Sequence, residues 1–255
     1  MGYVPDNSPE VDPARTRPTV LVIPGGGYEM TSDREAEPIA LKFLAAGCNA
    51  FVLRYSCAPP TYPTQLLQVA AAMEEIRGHA DEWHVDTAHI VVIGFSAGGH
   101  LAADFATTAS DAVLAAHGYD PAALRPAGRM LAYPVITAGE ARHDGSFRAL
   151  LGERYGDPDA MAEVSIENHI DADTPPVFVW HTVTDDCVPV ENTLLLVAAC
   201  RAAGVPIEAH LYPRGGHGLS LGTAETAWQG VNGIEPAVQS WMGLALDWLA
   251  RLVEA

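Results

Sequence analysis

Apolar residues along this chain gather in short blocks of two kinds. "TVLVI" (19–23), "AFVLRY" (50–55), "HIVVIGF" (89–95), "RMLAYPVI" (129–136) and "PVFVWH" (176–181) are nearly continuous apolar runs, and "IEAHLY" (207–212) is a shorter mixed one. Runs this short and this apolar predict strands, most of them buried on both faces. Between them, "REAEPIALKFLAAG" (34–47), "PTQLLQVAAAMEEIRGHADEWH" (63–84), "AGGHLAADFATTA" (97–109) and "VENTLLLVAACRAAG" (190–204) read as helices. Gly47 is a natural C-terminal stop for the first, and Gly78 marks a break in the second. Ser32 with Glu35 fits a capping box, with Pro38 competing for the helix start. A last helix over 236–253 puts Val238, Trp241, Met242, Ala245, Trp248, Leu249 and Leu252 on one stripe.

Strands that alternate with helices imply right-handed crossovers and a mostly parallel central sheet covered by helices on both faces, an α/β fold. One domain is expected over 1–255. Residues 1–18, rich in proline and charge, form an N-terminal arm with an edge strand near Gly2–Pro5. Residues 137–174 are irregular, polar and too long for a plain loop, and predict a small cap or a rim over the site.

Composition narrows the classes. Hydrophobic residues make up 49% of 255, so a packed core is expected. Asp plus Glu number 32 against 14 Lys plus Arg, a net charge of −18, which disfavours nucleic acid and anionic membranes as partners. No apolar leader opens the chain and no run is long enough to span a bilayer. Cys48, Cys57, Cys187 and Cys200 show no CxxC pairing and read as reduced thiols. The expectation is a cytoplasmic protein acting on a small molecule; a homo-oligomer is compatible with all of this.

The sharpest chemical signal is "VVIGFSAGGH": Gly94-Phe95-Ser96-Ala97-Gly98 is G-x-S-x-G between a strand and a helix. That placement puts a serine Oγ at the tip of a tight turn, and the N–H of Ala97 at the helix start faces the oxygen of an attacked carbonyl. A serine needs a base, and the base a carboxylate, in the chain order Ser, Asp, His. "VFVWHTVTDDCVPV" offers Asp185 and Asp186 just past a strand, and "HLYPRGGHGLSL" offers His217 after the last one. Of ten histidines, His217 alone has that loop and that order; His100 and His181 read as structural. The remaining strand end, "VLVIPGGGYEM" (20–30), lacks the spacing of a P-loop or a dinucleotide loop. It sits where hydrolases of the nucleophile-elbow class place their second N–H donor, which makes Gly26 and Gly27 the oxyanion donors to act with Ala97. No metal motif and no cofactor motif is present, so neither group is expected.

These motifs together resemble the α/β-hydrolase superfamily, in its acetyl xylan esterase and feruloyl esterase-like branch. The resemblance is carried by "PGGGY", "SDREAEPIALKFLAAG", "GFSAGGHLAA", "HDGSFRALLG", "TPPVFVWHTVTDDCVPVENTLLL" and "YPRGGHGLSL", and it covers the chain from residue 18 onward. It implies Ser96 as nucleophile, Asp185 as triad acid in a D-x-x-V-P pattern, and His217 as base. "PGGGY" stands where lipase-like relatives carry H-G-G-G, so the donor register between Gly25 and Tyr28 stays open. The implied activity is a serine carboxylesterase for short acyl groups, above all acetyl, on sugars such as xylo-oligosaccharides, with Tyr28, Arg34, His143 and Trp180 as rim contacts. A hydroxycinnamoyl esterase, an arylformamidase-type amidase and a noncatalytic binding member of the fold are the alternatives.

Overall fold

The computed structural model describes residues 1–254. Its strands are β1 (Gly2–Tyr3), β2 (Arg17–Ile23), β3 (Asn49–Val52), β4 (Val85–Phe95), β5 (Gly128–Ala132), β6 (Val177–Thr182) and β7 (Ile207–Tyr212). They form a sheet in the order β1-β3-β2-β4-β5-β6-β7. The two-residue β1 pairs antiparallel with β3, and every other pairing is parallel. The helices are α1 (Glu37–Ala45), α2 (Thr64–Gly78), α3 (Ser96–Asp104), α4 (Thr108–Ala116), α5 (Pro121–Leu124), α6 (Asp144–Leu151), α7 (Pro158–Glu163), α8 (Glu191–Ala203) and α9 (Trp241–Glu254).

Two-residue alternation along the strands splits the core into two layers. On β2, Val20 and Val22 share a cluster with Phe43 of α1 and Trp241 of α9, while Leu21 and Ile23 share the other with Val69 and Met73 of α2. Burial on both faces is why these strands read as unbroken apolar runs. Parallel strands all point one way, so the loops after β2, β4, β6 and β7 meet at one edge of the sheet. Among the described residues, no helix is long and apolar enough to cross a membrane.

Several boundaries differ from the sequence reading, each for a local reason. The helix expected over 97–109 stops at Asp104, because Ala106 turns to φ 72 and Thr107 caps a new helix in a reciprocal box with Ser110. The strand expected to reach Ile136 leaves the sheet after Ala132, where Tyr133 takes φ 38. The final helix starts at Trp241, and its stripe is otherwise as expected, with Trp241, Met242, Ala245, Trp248 and Leu249 buried. The Ser32–Glu35 capping box does not form. Asp33–Glu35 is a 3₁₀ turn with no side-chain cap, Pro38 lies in the first turn of α1, and the Glu35 carboxylate turns inward instead. Residues 137–174 carry α6 and α7, whose Phe147, Leu150 and Ala160 belong to the same apolar cluster as α2.

Candidate active site

Ser96 begins α3 directly after β4, at φ 52. A non-glycine residue in the left-handed region is strained and needs its surroundings to hold it. The glycines on either side make the turn sterically feasible. A Cβ on Gly94 would run into the Gly98 carbonyl, and a Cβ on Gly98 would run into the carbonyl oxygens of Ile23 and Pro24. Those neighbours are backbone and cannot swing away. Gly98→Ala is therefore expected to lower the free energy of unfolding by about 3 kcal/mol, read from urea midpoints.

The loop after β6 supplies a carboxylate and the loop after β7 an imidazole. Asp185 has a fully buried side chain. Its Oδ1 accepts the N–H groups of Cys187 and Val188, each at 2.9 Å. Its Oδ2 lies 2.8 Å from His217 Nδ1 and 3.2 Å from His181 Nε2. Burial alone would raise the Asp185 pKa, but hydrogen bonds from His181 and His217 outweigh it and hold the carboxyl well below the usual range. An ionised carboxylate only accepts, so His217 Nδ1 carries the proton. His217 Nε2 is then free to accept the hydroxyl of Ser96, at 2.7 Å. Asp186, the other sequence candidate, is exposed.

His181 is fully buried and structural, as its place at a strand end suggested. Its Nε2–H points at Val188 O (3.0 Å), and its Nδ1 accepts from the Thr193 hydroxyl (2.8 Å). His100 packs inward: it donates to Val164 O at 2.8 Å, and burial lowers its pKa to about 4, so the ring is neutral.

The glycine loop after β2 lies against the elbow. A Cβ on Gly25 would come within 2.9 Å of Ser96 Cβ. The N–H of Gly25 is already taken by Glu35 Oε2 at 2.8 Å, which removes it from the open register. Among the described residues, the N–H groups of Gly26 and Gly27 donate to no backbone carbonyl. Ala97 lies in the first turn of α3, where N–H groups have no intrahelical partner.

Two expected rim residues are not on the rim. Tyr28 is 1% exposed: the turn at φ 62 swings it inward, and its hydroxyl donates to His100 Nδ1 at 2.7 Å. Trp180 is wholly buried, because its register on β6 faces α9, where it stacks on Trp241 with centroids 5.3 Å apart. Arg34 and His143 are half-buried. Arg34 donates to Gly218 O (2.7 Å) and Thr226 O (2.6 Å), so it braces the His217 loop. His143 caps α6 through Ser146. Burial and the nearby His217 lower its pKa. Sequence reading did not single out Trp228, 57% exposed, with the Arg34 guanidinium 6.0 Å from its ring centroid. Nor did it single out Tyr133, whose partners lie far away along the chain.

The chain is similar to several known proteins. Residues 20–221 match the family model described as the alpha/beta hydrolase fold. Among curated relatives, endo-1,4-beta-xylanase B of Butyrivibrio fibrisolvens is 37% identical over 220 residues, 84% of this chain and 34% of that protein. The acetylxylan esterase of Xylanibacter ruminicola is 31% identical over 209 residues, 80% of this chain and 41% of that protein. The chain thus spans less than half the length of these two relatives. The crystal structure of an acetyl ester-xyloside bifunctional hydrolase from Caldicellulosiruptor lactoaceticus superposes with a TM-score of 0.84 at 36% identity, covering 99% of this chain and 87% of that one. The chain belongs to the alpha/beta hydrolase family.

Proposed function

We propose that this member of the alpha/beta hydrolase family is a serine carboxylesterase that removes short acyl groups, above all acetyl, from sugars such as xylo-oligosaccharides. The observation that carries the reading is the hydrogen-bonded series Ser96–His217–Asp185, at 2.7 and 2.8 Å. Serine hydroxyls in such a series are activated nucleophiles.

In this reading Ser96 Oγ attacks the ester carbonyl as its proton passes to His217 Nε2. The imidazolium that forms is stabilised by the ionised Asp185. Negative charge on the carbonyl oxygen rests on the N–H groups of Ala97, Gly26 and Gly27. Each such donor supports about 3 kcal/mol of barrier lowering. His217 then gives the proton to the departing sugar oxygen, leaving an acyl-enzyme on Ser96. Water, deprotonated by His217, attacks that acyl group, and collapse of the second tetrahedral intermediate frees the acid and restores the hydroxyl. No step calls for a metal or cofactor.

The sugar-acetate preference draws on the relatives' names, an acetylxylan esterase and an acetyl ester-xyloside hydrolase. Arg34 and His143, at the edge of the site, are the candidate contacts for the sugar. The experiment offers acetylated xylo-oligosaccharides, feruloylated sugars and N-formylkynurenine side by side and follows product mass. Loss of acetyl groups is the expected result. Release of ferulate or formate in preference would replace the substrate class, and no turnover of any of them would leave a binding protein.

A further inference from the structure

Glu35 is a carboxylate in a place where an unpaired acid is costly. It is 3% exposed, in the 3₁₀ turn between the glycine loop and α1. Both of its oxygens are engaged. Oε2 accepts the Gly25 N–H at 2.8 Å, and Oε1 accepts the Tyr133 hydroxyl at 2.7 Å. The Tyr133 oxygen in turn accepts the N–H of Ser220 at 2.9 Å, in the loop that carries His217. The Tyr133 ring stands edge-on to the His217 imidazole, with centroids 5.1 Å apart at 70°. Arg34 repeats the connection: its guanidinium holds Gly218 O and Thr226 O, and its own carbonyl accepts the Ser220 hydroxyl at 2.6 Å.

One short turn therefore grips two loops that are far apart in sequence. On one side is the residue before Gly26 and Gly27; on the other is the loop that presents His217. We propose that Glu35 is a positioning residue of the esterase reaction, locking the glycine donor loop and the His217 loop into a single frame through Gly25 and Tyr133. The inference rests on the esterase reading above.

Two independent features favour a functional constraint over plain packing. First, burying a carboxyl group carries a desolvation penalty that an apolar side chain would avoid. A carboxyl group here supplies two acceptor oxygens at once, one for the Gly25 N–H and one for the Tyr133 hydroxyl, which neither an apolar side chain nor an amide can do. Burial raises the Glu35 pKa, and the bonds from Tyr133 and Gly25 work against that rise without cancelling it. Second, Tyr133 sits at φ 38, a strained conformation for a tyrosine. Its hydroxyl and ring bridge Glu35, Ser220 and His217, contacts that over-determine that conformation. Glutamine at position 35 would offer one acceptor and one donor. With its oxygen on Gly25, its amide would face the Tyr133 oxygen, and the tyrosine proton would lose its partner.

The test uses the full chain as wild type, Glu35→Gln, Tyr133→Phe and Ser96→Ala. Each is titrated with a fluorophosphonate to count reactive serines and assayed on p-nitrophenyl acetate. In Glu35→Gln, kcat per labelled site is expected to fall about 10²-fold, the effect of a sub-ångström to ångström misplacement of catalytic groups. Its KM is expected to stay within about threefold, since the groups displaced act mainly on the transition state. Tyr133→Phe is expected to fall about tenfold by the same reasoning. A purely structural role would lower the melting temperature and leave kcat per labelled site unchanged; that result in either folded variant overturns the inference. If Glu35→Gln does not fold, Tyr133→Phe decides by the same criterion. A wild type that neither labels nor turns over removes the esterase reading and this inference with it, whereas an active wild type with fully active variants removes the inference alone.

Discussion

Replacing Ser96 by alanine is expected to lower kcat on simple acetate esters by about 10⁵- to 10⁶-fold and to abolish fluorophosphonate labelling. A loss of that size corresponds to about 7 to 8 kcal/mol of transition-state stabilisation. Ser96 sits in the left-handed region at φ 52, and its hydroxyl is hydrogen-bonded at 2.7 Å to His217, the imidazole that Asp185 holds. The N–H donors remain in the variant, so a residual rate above water is expected. The folded state should tolerate the change, because Ser96 sits at the edge of solvent, 8% exposed, and removal of its hydroxyl leaves His217 still bonded to Asp185. Mass spectrometry of the labelled peptide checks the site directly. Wild-type labelling at a residue other than Ser96 would reassign the nucleophile.

The second large effect separates two adjacent aspartates. Asp185→Asn is expected to lower kcat about 10⁴-fold, because an amide can no longer fix the tautomer in which Nδ1 of His217 donates. Asp186→Asn should stay near wild type, since that side chain is exposed and has no bond to the imidazole. The same pair carries a stability signature. The Asp185 pKa is depressed in the folded state, so its contribution to stability is fully present above the unfolded value near 3.9 and is lost as pH falls through the lower folded value. Wild type should therefore exceed Asp185→Asn in unfolding free energy most clearly above about pH 5, and the gap should shrink below about pH 4. Urea midpoints at stepped pH measure this. A gap that widens on acidification would mean that the carboxylate is not held ionised by His181 and His217.

Much of the architecture is legible in the sequence. The continuous apolar runs at 19–23 and 89–95 could only be strands covered on both faces, and the helical stretches between them could only be crossovers. Ser96, His217 and the choice between Asp185 and Asp186 were legible as candidates because each follows a strand, and a strand end is a local feature. What misled was equally local. Ser32 and Glu35 carry the spacing of a capping box, yet the carboxylate is drawn to Gly25 and to Tyr133, 98 positions away. The helix after Ser96 reads as continuous through Ala109 because propensity is averaged over a window, while one cap at Thr107 restarts it. Tyr28 and Trp180 looked like rim residues because they stand beside functional segments. A single φ of 62 and a single strand register bury them instead.

By itself, then, the sequence determined the alternation of layers, the order of strand ends and the types of side chain at each, since period, turn chemistry and chain order are properties of neighbouring residues. Only the tertiary structure decided that the Gly25 N–H is spent on Glu35, and that one 3₁₀ turn ties the glycine loop to the histidine loop. Those outcomes depend on distances between residues from 10 to 98 positions apart. Such distances are set by how the helices pack on the sheet, which no local pattern encodes.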